Sequence, residues 1–208
     1  MHPNPAFHTE PAEANLAFAR ERGFGVLSIA QNGFPLAAHV PFSLSESGET
    51  ADLHLLRSNP IARAADEPLP ALIAVSGPDS YISPDWYEVE DQVPTWNYIA
   101  VHLRGKLVPL PQEQIRASLE ALSATFEARL APKAVWTTDK MPPDTLDRLM
   151  RTVRPFRFDV EEVRGTWKLN QNKPDAARLS AADHVNAYGI GQETALLAAL
   201  MRGAGDLP

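Results

Sequence analysis

Apolar and polar residues alternate with a period of two along several stretches of the chain, the pattern of half-buried strands. The clearest case lies between Trp96 and Val108, where Ile99, Val101 and Leu103 alternate with Tyr98, Ala100, His102 and Arg104. Shorter strand patterns cover Phe24 to Ala30, Phe34 to Leu44, Ala51 to Arg57, Ala71 to Ser76 and Phe156 to Leu169. Asn32-Gly33 predicts a hairpin turn, because both residues tolerate positive φ. Pro35 and Pro41 remove ladder donors from the return strand, which predicts a bulge or a partial edge. Gly77-Pro78 predicts the end of the strand before it.

Helical spacing takes over at Pro11 to Arg22, with Gly23 as the stop, and at Pro111 to Leu130, where Ile115, Leu119, Leu122 and Phe126 form one stripe. Shorter helices are predicted at Pro60 to about Ala65, Pro143 to Thr152 and Glu193 to Arg202. The strands follow one another by hairpins and short excursions, not by regular βα alternation. The expected fold is mainly β with peripheral helices (α+β), built on an antiparallel barrel. One domain over 1–208 is expected, with a C-terminal helical segment at about 175–203.

Composition narrows the chemistry. The chain has no cysteine, so disulfides, thiolate metal sites and cysteine nucleophiles are excluded. No stretch has the ~18 consecutive apolar residues of a membrane helix, and the first residues do not read as a secretory signal. The expected compartment is the cytoplasm. A net charge of −7 argues against the broad basic face used by DNA-binding domains.

The stretch Tyr81 to Lys106 concentrates two of the four tryptophans and three of the four tyrosines. Core packing accounts for aromatic residues on strands. It does not account for Thr95, Asn97, His102 and Arg104 threaded between them, which suit a flat polar ligand. Arg57-Ser58-Asn59-Pro60 joins a strand to a helix start, a place where anions bind; the ordinary alternative is an N-cap beside a solvated arginine. Lys168 to Lys173 ends the last strand with two lysines around Asn170, Gln171 and Asn172, either a polar loop or a second donor set. His39, His54 and His102 lie on three strands without metal-binding spacing, so no metal site is expected.

These segments together resemble the PaiB-type FMN-binding negative transcriptional regulators. The resemblance rests on I-S-P-D-W-Y (82–87), V-P-T-W-N-Y (93–98), A-V-H (100–102), Gly105 and K-L-N-Q-N-K (168–173), preceded in order by A-A-H-V-P-F (37–42) and L-H-L-L-R-S-N-P (53–60). It implies a split β-barrel of the pyridoxamine-phosphate-oxidase type and a homodimer with FMN at the subunit interface. By position it brings Arg57, Ser58 and Asn59 to the FMN phosphate, with His54 on the strand before them. It brings Ala38, His39 and Pro41 along the ring, and Trp96, Asn97, Tyr98 and His102 to the pocket wall. Lys168, Gln171, Asn172 and Lys173 then close the pocket. Asn170 stands where serine is expected in many relatives. Two functions follow: a flavin-binding regulator, with DNA contact implied by the family name but not by the charge, or a flavin-dependent oxidoreductase using the same pocket. No catalytic residue can be singled out.

Overall fold

Asn32 and Gly33 adopt φ of 51° and 81°, the left-handed pair that a tight hairpin turn requires. They set the register of β1 (Phe24–Gln31) and β2 (Phe34–Pro41), which pair antiparallel with Gln31 opposite Phe34 and Val26 opposite His39. Side chains alternate along a strand. Leu27, Ile29 and Val40 are therefore buried, while Phe24, Val26, His39 and Pro41 share the other face. The computed structural model describes residues 1–203; the last residues of the expected domain, 204–208, lie outside the described residues.

The remaining strands are β3 (Ser43–Leu44), β4 (Thr50–Leu56), β5 (Leu69–Ile82), β6 (Thr95–Pro109) and β7 (Val153–Lys168). They form one antiparallel sheet in the order β2-β1-β5-β6-β7-β4-β3. The ladder order has two ends, so hydrogen bonding leaves the sheet open. Helices α1 (Ala12–Arg22), α2 (Pro60–Ala64), α3 (Ile115–Glu127), α4 (Pro143–Met150), α5 (Asp175–Tyr188) and α6 (Thr194–Met201) complete the described elements, with short 3₁₀ turns between them. The fold is the mainly β, helix-flanked split barrel expected above.

Element boundaries moved for identifiable reasons. β5 does not stop at Gly77-Pro78. A Cβ on Gly77 would come within 2.6 Å of the Phe18 ring and 2.9 Å of Ile99 Cβ, so this glycine permits close packing inside a strand and does not mark a turn. The return strand breaks after Pro41, where the Phe42 N–H donates to Gly23 O at 2.8 Å instead of to a ladder partner. The strand before Arg57 ends at Leu56, and the Arg57 N–H donates to Thr152 O at 2.9 Å. α3 begins at Ile115, after a 3₁₀ turn at Gln112–Gln114.

The chain forms two compact units. The first comprises Met1–Phe18, Val75–His102 and the chain from Val163 onward; the second comprises Ala19–Ala74 and Leu103–Glu162. In the second unit Leu27, Val40, Phe42, Leu53, Ile73, Phe156 and Phe158 are all buried. α3 packs against β4 and buries Ile115 and Leu122. Full burial of each such side chain contributes about 1.5–3 kcal/mol. In the first unit a separate cluster joins Ile82 and Tyr87 to Ala181, Val185, Leu197 and Met201 of α5 and α6. The small alanines of α5 let the two helices approach closely around the Tyr87 ring.

Candidate functional site

The end of β7 is where the first unit brings predicted site residues together. Lys168, Asn172 and Lys173 line a cavity of about 230 Å³ with Thr95, Asn170 and Tyr87. The Lys168 ammonium donates to the Thr95 hydroxyl and the Lys173 ammonium to Gln92 Oε1. Each cation also lies over an aromatic ring, Lys168 over Phe7 at 5.8 Å and Lys173 over Tyr87 at 5.0 Å, an attraction of roughly 0.5–1 kcal/mol at exposed sites and more when desolvated. Burial, aided by the charge of Lys173, holds the Lys168 pKa below the usual lysine value.

Asn170 occupies the turn that follows β7 at φ 63°, a left-handed conformation that asparagine tolerates better than most residues. Its side chain is buried, 2% exposed. Oδ1 accepts the Tyr87 O–H at 3.2 Å, and Nδ2 has no hydrogen-bond partner among the described residues. Burial raises the Tyr87 pKa, the Asn170 bond opposing it, so the phenol remains a donor across the neutral range.

Gln171 departs from its expected role. Its carboxamide accepts from Leu169 N–H at 2.8 Å and donates to Ala6 O at 3.2 Å and to Trp167 O. The side chain is consumed in folding its own loop and pinning the N-terminal segment. Asn97 also departs. Alternation along β6 puts it on the face opposite Trp96 and Tyr98; it is fully buried, with Nδ2 3.5 Å from Met201 Sδ. Trp96, 46% exposed, meets Tyr81 edge-on at 6.3 Å. Tyr98 and His102 are half-buried on the same face of the strand as Trp96.

In the second unit, Arg57 donates from Nε to Arg151 O at 2.8 Å and from Nη2 to Gln112 Oε1 at 2.5 Å. Asn59 caps α2, its Oδ1 accepting the Ile61 N–H at 2.9 Å. That helix is only five residues long, too short for a strong macrodipole, so the anion reading passes to the side chains. Among the described residues, Arg57 Nη1, the Ser58 hydroxyl and the Asn59 Nδ2 make no hydrogen bond and remain as donors. His54 is half-buried; Nδ1 has no partner among the described residues, and burial lowers its pKa. His39 is exposed and stacks on Phe24 at 6.3 Å. Ala38 lies opposite Leu27 on the other face of β2, which separates it from His39. Pro41 borders a cavity of about 260 Å³ with Phe126 and Trp136.

Of the ten residues lining the first-unit cavity, only Lys168, Asn172 and Lys173 were placed at the cofactor by the resemblance; Thr95, Tyr87, Asn170, Val93 and the N-terminal His2, Asn4 and Phe7 were not. Thr95 sits inside the quoted V-P-T-W-N-Y motif and Tyr87 inside I-S-P-D-W-Y, so a signal existed for both. Asn170 had one too, as the departure from serine. The N-terminal segment gave none. His2 N–H donates to the Thr166 hydroxyl at 3.3 Å, and the His8 ring meets Gly165 O at 2.5 Å; isolated N-terminal histidines carry no pattern.

Comparison with known proteins places the chain. Residues 1–162 match the family described as "Putative FMN-binding domain". A curated relative, Protease synthase and sporulation protein PAI 2 of Bacillus subtilis, is 28% identical over 181 residues, covering 86% of each chain. Among solved structures, the FAD and heme binding protein of Mycobacterium smegmatis aligns with a TM-score of 0.55 at 16% identity, over 88% of this chain and 80% of its own. The flavocytochrome Anf3 of Azotobacter vinelandii aligns at 0.56 and 14% identity, over 80% and 72%. At these identities the two structures show the shared fold. The chain belongs to the FMN-binding domain family and resembles PaiB over most of its length.

Proposed function

We propose that this member of the FMN-binding domain family is a cytoplasmic homodimer that carries FMN as the bound ligand of a regulator. The observation that carries the proposal is the apolar surface left on its strands. Phe24 and Phe34 in the second unit are 53% and 75% exposed, and Trp96 in the first is 46% exposed. Large exposed apolar groups on strand faces mark surfaces that a partner or ligand covers. A second copy of the chain is the occupant the family resemblance implies.

The residues present fit FMN. Its phosphate needs cationic and neutral donors, which Arg57, Ser58 and Asn59 retain after their own bonds are made. Its flat ring needs aromatic and apolar surface, which Trp96 and Tyr98 offer on one side of β6. His39 is an exposed donor for a polar ring edge. Ala38 and Asn97 lie on the opposite strand faces from these groups and drop out of the proposed set, as does Gln171. When bound, FMN supplies one- and two-electron redox chemistry; the chain's own part is to hold, orient and shield it.

The test is ligand content and mass in solution. The purified protein is expected to release FMN at one per chain and to sediment as a dimer, with Trp96→Ala and Arg57→Gln each weakening FMN binding. A monomer that neither carries nor takes up FMN overturns the proposal. Anaerobic mixing with NADH and NADPH is expected to leave the flavin absorbance unchanged; rapid bleaching would replace the regulator by a nicotinamide-linked reductase.

A further inference from the structure

The cavity at the end of β7 carries more positive charge than the first unit neutralises. Lys168 and Lys173 both line it, and no carboxylate does. Their hydrogen bonds go to neutral oxygens, Thr95 Oγ1 and Gln92 Oε1, and neither is ion-paired among the described residues. In a chain of net charge −7, two ammonium groups lining one small cavity are costly unless an anion joins them. The depressed Lys168 pKa records that cost: burial comes first, the charge of Lys173 second.

An independent observation lies beside them. Asn170 is 2% exposed and lines the same cavity, and its Nδ2 has no partner. A buried amide donor left unmatched costs about as much as a lost hydrogen bond. Tyr87 holds the carboxamide in this orientation by occupying Oδ1, so the free end of the amide is the donor. Ammonium, ammonium and amide form a set that matches the oxygens of a carboxylate or phosphate. At about 230 Å³ the space falls below the roughly 300–1,000 Å³ usual for drug-sized ligands. It suits a small anion, or the anionic end of a larger molecule.

We infer that this cavity is an oxyanion-binding site in which Lys168, Lys173 and the Asn170 amide together hold a phosphate or carboxylate group. The inference stands apart from the flavin phosphate assigned above to Arg57, Ser58 and Asn59, and it is read without flavin. The N-terminal segment lines the same cavity through His2 and Phe7, and His2, like Lys168, has its pKa lowered, chiefly by burial and then by Lys168. An anion in the cavity would favour the protonated forms of Lys168 and His2 together.

The experiment is calorimetric titration of the protein with inorganic phosphate, first free of flavin and then loaded with FMN or with riboflavin. Saturable phosphate binding is expected. Asn170→Asp keeps the Tyr87 acceptor but turns the amide donor into a carboxylate oxygen that repels the anion and pairs with the lysines, and it should weaken phosphate binding by about tenfold or more. Lys173→Gln, at a less buried position, provides the same readout should the Asn170 variant not fold. Affinity should fall as pH rises through the lowered Lys168 pKa, which lies below the ordinary 10.5. Phosphate that binds alongside both FMN and riboflavin supports an oxyanion site apart from the flavin's. Phosphate displaced by FMN but not by riboflavin overturns it as a separate site and moves the flavin phosphate here from Arg57, Ser58 and Asn59. No binding to the wild-type protein, or equal binding to Asn170→Asp and Lys173→Gln, overturns it.

Discussion

Asn15 on α1 and Trp167 on β7 are joined by a hydrogen bond from the indole N–H to the Asn15 carboxamide oxygen at 2.9 Å, and both side chains are buried. The Asn15 amide also donates to Pro11 O at 3.2 Å, so one side chain ties the first turn of α1 to the end of the sheet. Asn15→Leu should cost about 1–3 kcal/mol, because it strands a buried indole donor. Urea unfolding followed by tryptophan fluorescence measures it. Trp167→Phe should then cost less in the Asn15→Leu background than in the wild type, since removing both partners relieves the unmatched donor. Additive costs would show that the bond is not coupled to stability.

Gly105 and Gly33 predict opposite kinds of cost. A Cβ on Gly105 would overlap the Asp159 carbonyl oxygen on the neighbouring strand, so Gly105→Ala must push β6 and β7 apart. A loss of about 3 kcal/mol or more is expected. Gly33 has open space around it but φ of +81°, and Gly33→Ala should cost only about 1–2 kcal/mol of backbone strain. Thermal unfolding of the pair ranks them, and a reversed order would contradict the strand packing.

Asn59 allows stability and flavin affinity to be separated. Asn59→Ala removes the cap of α2 and should cost about 1 kcal/mol. Asn59→Asp keeps the capping oxygen but adds negative charge beside Arg57 and Ser58. Stability should be nearly unchanged, while FMN affinity falls by about tenfold or more through like-charge repulsion. Equal FMN affinity in the Asp variant would move the phosphate away from this turn.

His54 predicts an acid-side loss of stability. Burial lowers its folded pKa below the ordinary 6.5. Between those two values the unfolded chain binds more protons than the folded one, so stability falls as pH drops through that window and is recovered above 6.5. His54→Gln should flatten this slope, leaving the part due to His2, whose pKa is lowered in the same direction. Chemical denaturation at a series of pH values from neutral into the acid range provides the test, and an unchanged slope would remove His54 as a source.

Much of this fold could be read from local pattern. The period of two in β6, the Asn32-Gly33 turn and the stripe on α3 depend on interactions between near neighbours, which sequence spacing records directly. The family motifs likewise marked Trp96, Arg57 and Lys168 as residues of interest. Local pattern was silent wherever a side chain's role depends on what another segment brings to it. Gly77 reads as a turn until Phe18 and Ile99 are seen to leave no room for a side chain. Asn97 reads as a pocket residue until strand alternation buries it against Met201 of α6. Gln171 reads as a free donor until the carbonyl of Ala6, far away in sequence, accepts its amide N–H. Asn170 reads as one member of a polar loop or donor set and as a departure from serine, and it took Tyr87 of a distant turn to fix its oxygen and leave its amide without a partner among the described residues. Spacing along the chain sets which face a residue is on; only the packed structure decides which partners are already taken, because hydrogen bonds and van der Waals contacts are made in space and each donor can be spent only once.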